Sequence, residues 1–463
     1  MPLSTAAFYP IEHVGWIGFL APAVVLITIG SFLWWKLRSG RPFALTINEG
    51  GIIVLLSWIT LCILSAIPFL IIQKLALTQA VFESVSGWTT TGLSILDLSK
   101  TPHILLLWRS IMQWAGGAGF AIIMLAAITG PIGPGLSAAE GRSEQLAPHV
   151  RTSAKMVMIL YSSYTLAGFL GYLLGGMNSF DALNHVLAAV STGGFSTHPD
   201  SIAYWNSMTI EIISLVLMLL GNLNFLISYL ILKRKLKTAS RHGEIRLFVF
   251  LIFTCFLIIY PICRNIYPSL GKSIRVAVFE TLSALTTTGF TTTTYGSWSP
   301  VGYFILIILM IIGGGTCSTA GGVKQYRVYI LFKSLTWEIK RMFLPRTAVV
   351  ENFIWQGERK DYITDARIRK VATFIFLYFL AYVIGTVVLT AHGYGLKESL
   401  FEYASTLSTV GLSTGITSAA APKLVLWIET IGMFFGRLEF FVIFIGIGKI
   451  IRDTAILTKI KIK

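Results

Sequence analysis

Thr89-Thr90-Thr91-Gly92-Leu93-Ser94, Ser191-Thr192-Gly193-Gly194-Phe195-Ser196, Thr286-Thr287-Thr288-Gly289-Phe290-Thr291 and Ser408-Thr409-Val410-Gly411-Leu412-Ser413 are four versions of one phrase. In each, a hydroxyl residue stands three positions before an anchoring glycine, threonine two before it, and serine or threonine two after it. Phe82-Glu83, Phe279-Glu280 and Phe401-Glu402 precede three copies at a fixed distance, while the second copy carries Phe180-Asp181 one helical turn earlier. Each copy lies between two long apolar runs. The unit therefore reads as a membrane hairpin: an apolar helix, a short helix, a polar loop at the tip, and a second apolar helix. A helix cap or turn explains any single copy, but not four in register.

The composition agrees with a membrane setting. Of 463 residues, 54% are hydrophobic and 13% charged, against about 25% charged in soluble domains. Runs near 14–36, 51–73, 104–129, 156–176, 208–232, 246–264, 301–333, 371–391 and 424–448 approach the ~20 apolar residues that a spanning helix needs. They predict nine crossings, the run 301–333 being interrupted. No basic segment precedes the first run, so it is not read as a signal peptide.

The net charge of +16 follows membrane side and does not call for nucleic acid. One side collects Lys36, Arg38 and Arg41; Arg142, Arg151 and Lys155; Lys233, Arg234, Lys235, Lys237, Arg241 and Arg246; the stretch from Lys324 to Lys370; and the tail from Lys449 to Lys463. The other side holds scattered bases such as Lys74, Lys100, Lys272 and Lys397. The rich side is cytoplasmic by the positive-inside rule, which puts the four phrases and the N-terminus outside and the C-terminus inside. Cys62, Cys255, Cys263 and Cys317 show no metal or disulfide spacing, and the seven histidines form no ligand pair.

The expected fold is an all-α membrane protein: four parallel-topology helix–re-entrant pore loop–helix repeats around a central pore, plus one extra N-terminal transmembrane helix. Residues 1–50 hold that helix, which ends in Trp34-Trp35-Lys36, and a cytoplasmic loop. The repeats run over 51–135, 152–235, 244–335 and 367–450, and 451–463 is a cytoplasmic tail. In the first repeat, the segment from Leu77 to Trp88 is too short to span, so it must dip into the membrane surrounded by protein. Each repeat crosses twice and returns to its starting side, so successive repeats are related by an axis along the membrane normal. Their loops then meet on that axis.

Such loops suit a cation. Rings of backbone carbonyls replace a hydration shell without burying a charge, glycine turns the backbone at little cost, and the negative C-terminal ends of the short helices point at the ion. The phrases carry no Arg or Lys. Glu83, Asp181, Glu280 and Glu402 sit near the starts of the short helices, where attraction of cations and the helix dipole explain them equally well. Arg109 reads as an interfacial or snorkelling base.

The phrases, together with Trp108-Arg109-Ser110-Ile111-Met112-Gln113-Trp114-Ala115-Gly116-Gly117, the run Gly313 to Lys324 and Gly436-Arg437-Leu438-Glu439, resemble the Trk/Ktr/HKT superfamily of potassium transporters, and within it the TrkH-type bacterial uptake subunits. The resemblance covers about residues 15–450, although such proteins usually have two helices before the first repeat and this chain has room for one. It implies potassium as the transported ion, selected by Gly92, Gly194, Gly289 and Gly411, with Thr89, Thr90, Ser191, Thr192, Thr286, Thr287, Ser408 and Thr409 lining the ion sites. It also implies a homodimer in the inner membrane and a cytosolic nucleotide-binding regulatory ring of the TrkA/KtrA kind. No phosphate-binding glycine loop occurs in this chain itself.

Gly313, Gly314, Gly315, Thr316, Cys317, Ser318, Thr319, Ala320, Gly321 and Gly322 interrupt an apolar run, and each glycine costs a helix roughly 1 kcal/mol relative to alanine. The segment is expected to break the helix beneath the filter as a gate, or else to serve close helix packing. Arg437, within an apolar run, is expected either to face the pore as a barrier or to pair with Glu439 or Glu429. Sodium- or proton-coupled symport on the same architecture stays open. A membrane-embedded enzyme would need an intramembrane histidine–acid constellation such as HExxH, which the chain lacks.

Overall fold

The computed structural model describes residues 16–37, 47–119, 150–345, 348, 351–356 and 359–461. Expectations for Arg38, Arg41, Arg142, the first and last residues and the 120–135 end of the first repeat lie outside the described residues.

After α1 (Trp16–Leu37), one pattern of elements recurs. A long helix or helix pair comes first: α2 (Ile47–Ser65) with α3 (Ile67–Ile72), then α6 (Val150–Leu174), α11 (Gly243–Ile266) and α15 (Asp365–Ala391). A short helix follows each, namely α4 (Leu77–Trp88), α7 (Ser179–Val190), α12 (Leu270–Leu285) and α16 (Leu396–Leu407), and ends at the glycine phrase. A second helix then returns: α5 (His103–Ala118), α8 (Met208–Asn222), α13 (Pro300–Ile312) and α17 (Lys423–Leu438). Prolines fix three of these starts, Pro102 and Pro422 at the N-cap and Pro300 inside the first turn, where a locked φ and a missing N–H do no harm.

Each second helix packs on its own short helix and on the next one, α5 on α7, α8 on α12, α13 on α16 and α17 back on α4. The cycle therefore closes on itself, and α2 packing on α18 (Phe440–Lys461) seals the outer seam. Phe82, Phe279 and Phe401 from the aromatic-acid pairs are fully buried in this inner layer. At Gly116, Gly221 and Gly436 an added Cβ would run into the carbonyls of Trp88, Val190 and Leu407 at the ends of the short helices. Glycine there lets the two helices approach at the loop.

The second helices do not run straight through. Among the described residues five helices are long and apolar enough to cross a membrane, or up to seven if each bent pair is one span. The nine expected crossings are thus not nine continuous helices. α8 meets α9 (Phe225–Leu232) at 113°, and α17 meets α18 at 100°. The first bend falls at Leu223-Asn224, where the Asn224 side chain caps α9 by accepting from Leu226 N at 2.9 Å. The second falls at Glu439, whose φ is 61°. α13 stops at Gly313, with φ 69°, and the chain resumes as α14 (Gln325–Met342). The basic stretch beyond also holds an element the helical pattern does not predict, an antiparallel hairpin of β1 (Phe353–Gln356) and β2 (Arg359–Tyr362).

The close approach at the short-helix ends is testable. Gly116→Val should force the backbone apart and cost about 1–3 kcal/mol, read as a lower unfolding midpoint in detergent. Gly448→Ala, inside α18 with no atom within 4 Å of the new Cβ, should leave the midpoint equal or slightly higher, since alanine favours the helix.

Candidate functional site

The four phrases meet in a ring. A Cβ on Gly92 would overlap the carbonyl of Gly193, one on Gly194 that of Thr288, one on Gly289 that of Val410, and one on Gly411 that of Thr91. Each loop thus lays its glycine against the carbonyl just before the next glycine, and the fourth joins the first. The glycines have φ of 88°, 73°, 79° and 96°. Thr90, Thr192, Thr287 and Thr409 also take positive φ, 58°, 51°, 53° and 53°, although a β-branched residue is strained there. Repeated in all four loops, this strain turns the Thr–Gly backbone the same way each time.

The hydroxyl residues divide into two groups, all of them fully buried. Those three before the glycine are turned back to the scaffold: Thr89 Oγ1 donates to Val85 O at 2.7 Å, Ser191 Oγ to Leu187 O at 2.7 Å, Thr286 pairs with Thr288 at 2.8 Å, and Ser408 with the Tyr378 hydroxyl at 2.6 Å. Those two before it face the interior below the ring. Thr90 and Thr409 Oγ1 are buried without a hydrogen-bond partner among the described residues, which suits an oxygen that would face a desolvated cation.

Behind each loop a buried side chain ties the segment after the glycine. Glu83 accepts from Ser94 Oγ at 2.7 Å and Ile95 N at 2.6 Å. Glu280 accepts from Thr292 N at 2.8 Å and from the Tyr295 hydroxyl at 2.5 Å. Glu402 accepts from Ser413 Oγ at 2.6 Å, Thr414 N at 2.7 Å and Thr417 N at 3.1 Å. These acids are therefore loop anchors, not exposed lures at the mouth. In the second loop the residue nine before the glycine is His185, not Asp181. Its Nδ1 lies 2.8 Å from the Asp181 carbonyl, so the ring donates there, and Nε2 accepts from Ser196 Oγ at 3.0 Å. Asp181, one turn back, accepts from Thr197 Oγ1 at 2.6 Å and contacts His198 at 3.1 Å. Aligning on the glycine instead of on the acid finds this exchange.

Arg109 is not a snorkelling base. It is 1% exposed, its Nε lies 3.3 Å from Glu83 Oε2, and its guanidinium covers the Phe195 ring at 3.8 Å. It thus joins the first loop's anchor to the second loop. Above the ring opens a vestibule of about 720 Å³, whose wall includes Asp97, His198 and Glu398. Lys100 beside Asp97 at 3.0 Å holds that carboxyl below its usual range.

Below the ring, the Gly313–Gly322 segment crosses the axis. Its ends are held side by side by Val323 N to Ile311 O at 2.9 Å and Lys324 N to Ile312 O at 3.0 Å. Its tip reaches three of the four loops. Thr192 Oγ1 meets Thr319 Oγ1 at 3.2 Å, Gly321 N donates to Thr287 Oγ1 at 2.6 Å, and a Cβ on Gly321 would strike Thr409. Asn222 O accepts from Gly315 N at 3.3 Å, and Glu244 accepts from Thr316 N at 3.0 Å. Arg437 Nη1 donates to Thr319 O at 2.8 Å, and Nη2 to the carbonyls of Gly116 and Gly117. Of the two acids offered as alternative partners, Glu439 is held by Arg327 at 2.6 Å and Glu429 accepts from Thr417 Oγ1 at 3.1 Å. Thr316, Cys317, Ser318, Lys324 and Arg437 line a cavity of about 40 Å³, room for a few water molecules.

Comparison with known proteins bears on this geometry. The profile of the TrkH family, described as cation transport protein, matches residues 18–267 and 265–453. The Trk system potassium uptake protein TrkH of Escherichia coli strain K12 is 33% identical, the match covering 91% of this chain and 89% of the relative. The Trk system potassium uptake protein TrkG of the same strain is 32% identical, over 96% of this chain and 93% of the relative. The crystal structure of the potassium transporter TrkH from Vibrio parahaemolyticus matches with a TM-score of 0.83 at 29% identity, covering 96% of this chain and 93% of that one.

The buried pair behind the first loop makes a separate prediction. Arg109→Met leaves Glu83 uncompensated and should cost about 3–5 kcal/mol, measured by denaturant unfolding in detergent. The double variant Glu83→Gln with Arg109→Met should recover much of that loss.

Proposed function

The chain belongs to the TrkH family of cation transport proteins, and from that premise we propose that it is the conducting subunit of a potassium uptake system in a bacterial cytoplasmic membrane. The observation that carries this reading is the closed cycle of four glycine loops, each laid against the next, at the C-terminal ends of four buried short helices. A potassium ion entering from the vestibule exchanges water for the carbonyls of these loops, with the threonines two before each glycine supplying oxygens beneath. Gly92, Gly194, Gly289 and Gly411 are the filter glycines, within pore units at 51–135, 152–235, 244–335 and 367–450. The ion moves inward down the membrane potential, about 2.3 kcal/mol per charge per 100 mV.

Gly313 to Gly322 is the gate. Its contacts with Thr192, Thr287 and Arg437 support a closed arrangement beneath the filter, and the loop continues directly into α14 on the basic, cytoplasmic side. A cytosolic nucleotide-binding partner that moves α14 would therefore pull on the loop. The subunit works as a homodimer, with the N-terminus outside and the C-terminus inside.

Rubidium flux and bi-ionic reversal potentials in proteoliposomes test this. The wild type should prefer potassium, and its failure to discriminate potassium from sodium would end the proposal. Gly92→Ser should reduce that preference by about tenfold, equivalent to about 1.4 kcal/mol. Arg437→Ala releases the loop from Gly116 and Gly117, so basal flux should rise severalfold; flux at or below the wild-type level would remove Arg437 from the gate.

A further inference from the structure

The second loop is the odd member of the ring. Immediately before the filter glycine the other loops carry Thr91, Thr288 and Val410, whereas this one carries Gly193. In the first and third loops that residue's hydroxyl pairs with the hydroxyl two residues earlier, Thr91 with Thr89 and Thr288 with Thr286, both at 2.8 Å. Gly193 has no side chain to do this. A Cβ built on it would run into the Gln113 side-chain amide. That amide spans the loop on both sides of Gly194: Nε2 donates to Gly193 O at 2.5 Å, and Oε1 accepts from Phe195 N at 3.2 Å.

Gln113 is the eleventh residue of α5, and the eleventh residues of α8, α13 and α17 are Met218, Met310 and Met433. Methionine has no hydrogen to donate and only a weak acceptor sulfur. The one polar residue at this position thus packs against the one loop that lacks a side chain. Ser110 and Arg109 hold the same neighbour, Ser110 Oγ donating to Asn184 Oδ1 at 2.7 Å and Arg109 covering Phe195. Gln113, Gly193 and Phe195 are all buried, so the amide's two bonds are not exchanged with water.

We propose that Gln113 is a positioning residue for selectivity: its amide replaces the missing side chain of Gly193 and fixes the carbonyl orientation of the second loop. This rests on the ring being an ion filter. Gln113→Met makes the position match its three counterparts but frees the second loop, and should lower the potassium-over-sodium permeability ratio by about tenfold, the order of one lost buried hydrogen bond. Gly193→Thr alone collides with the amide and should lower the ratio and the unfolding midpoint together. The pair Gln113→Met with Gly193→Thr rebuilds the pattern of the first and third loops and should restore the ratio above that of either single variant.

The experiment is the bi-ionic reversal potential of wild type, both singles and the pair in proteoliposomes, with the unfolding midpoint of each measured in detergent. A Gln113→Met protein with the wild-type midpoint and the wild-type ratio overturns the inference, as does a pair no better than the better single. If Gln113→Met does not fold, Gln113→Glu, which keeps the volume but loses the N–H donor, must show the lowered ratio for the inference to stand. A wild type without preference would instead defeat the filter reading itself.

Discussion

Irregular backbone at membrane depth has no water to satisfy it, and every polar group it frees must be met by protein or by the ion it serves. That constraint organises this structure. The loops after Thr90, Thr192, Thr287 and Thr409 leave the helical path with the same positive φ, which frees backbone amides and carbonyls from helical pairing. The amides are then claimed from behind, by Glu83, Glu280 and Glu402. A carboxylate suits this task because it accepts several bonds at once, and Glu402 alone accepts from three residues. The donors behind the loops are thus engaged, while on the acceptor side the Gly193 carbonyl is itself held by Gln113 Nε2.

Much of this was legible in the sequence, for identifiable reasons. Glycine and hydroxyl residues at fixed spacing mark a backbone conformation, and the conformation recurs wherever the spacing does. The short helix at Leu77–Trp88 has the expected bounds because its flanks, a loop on one side and the phrase on the other, are both readable. What escaped is tertiary. An apolar run does not reveal that it turns by 113° at Asn224 or by 100° at Glu439, since the bend depends on what receives the freed groups. Arg109 looks interfacial from its distance to the helix end and is instead buried, because its partners Glu83 and Phe195 come from two other segments. His185 was hidden by the search for an acid, although as a neutral ring it accepts from Ser196 much as Glu83 accepts from Ser94.

The Gly313–Gly322 segment is placed by close backbone approach and by polar contacts from several parts of the chain. Its glycines are required by close approach, since side chains at Gly313, Gly321 and Gly322 would meet backbone or Thr409. Its polar contacts come from separate parts of the chain: Asn222 and Glu244 at one end, Thr192 and Thr287 at the tip, and Arg437 from the last second helix. Arg437 donates here to the carbonyls of Thr319, Gly116 and Gly117, and such charge-assisted bonds are stronger than neutral ones.

A ring built from four copies of one subunit would impose identical contacts at each joint. Here a single chain supplies all four loops, and the joints differ: Gln113 braces the second loop, Arg109 ties that loop to the first loop's Glu83, His185 stands in the place of a carboxylate, and among the described residues the crossing segment springs only from the third second-helix. The approximate symmetry is retained where an ion would feel it, in the backbone at Gly92, Gly194, Gly289 and Gly411, and is relaxed in the layer behind. Two departures in the second loop are matched by a partner there, Gln113 for the absent side chain of Gly193 and His185 for the absent acid. The backbone of the ring is therefore the conserved physical quantity within this chain, and the side chains behind it are free to vary as long as its donors stay occupied.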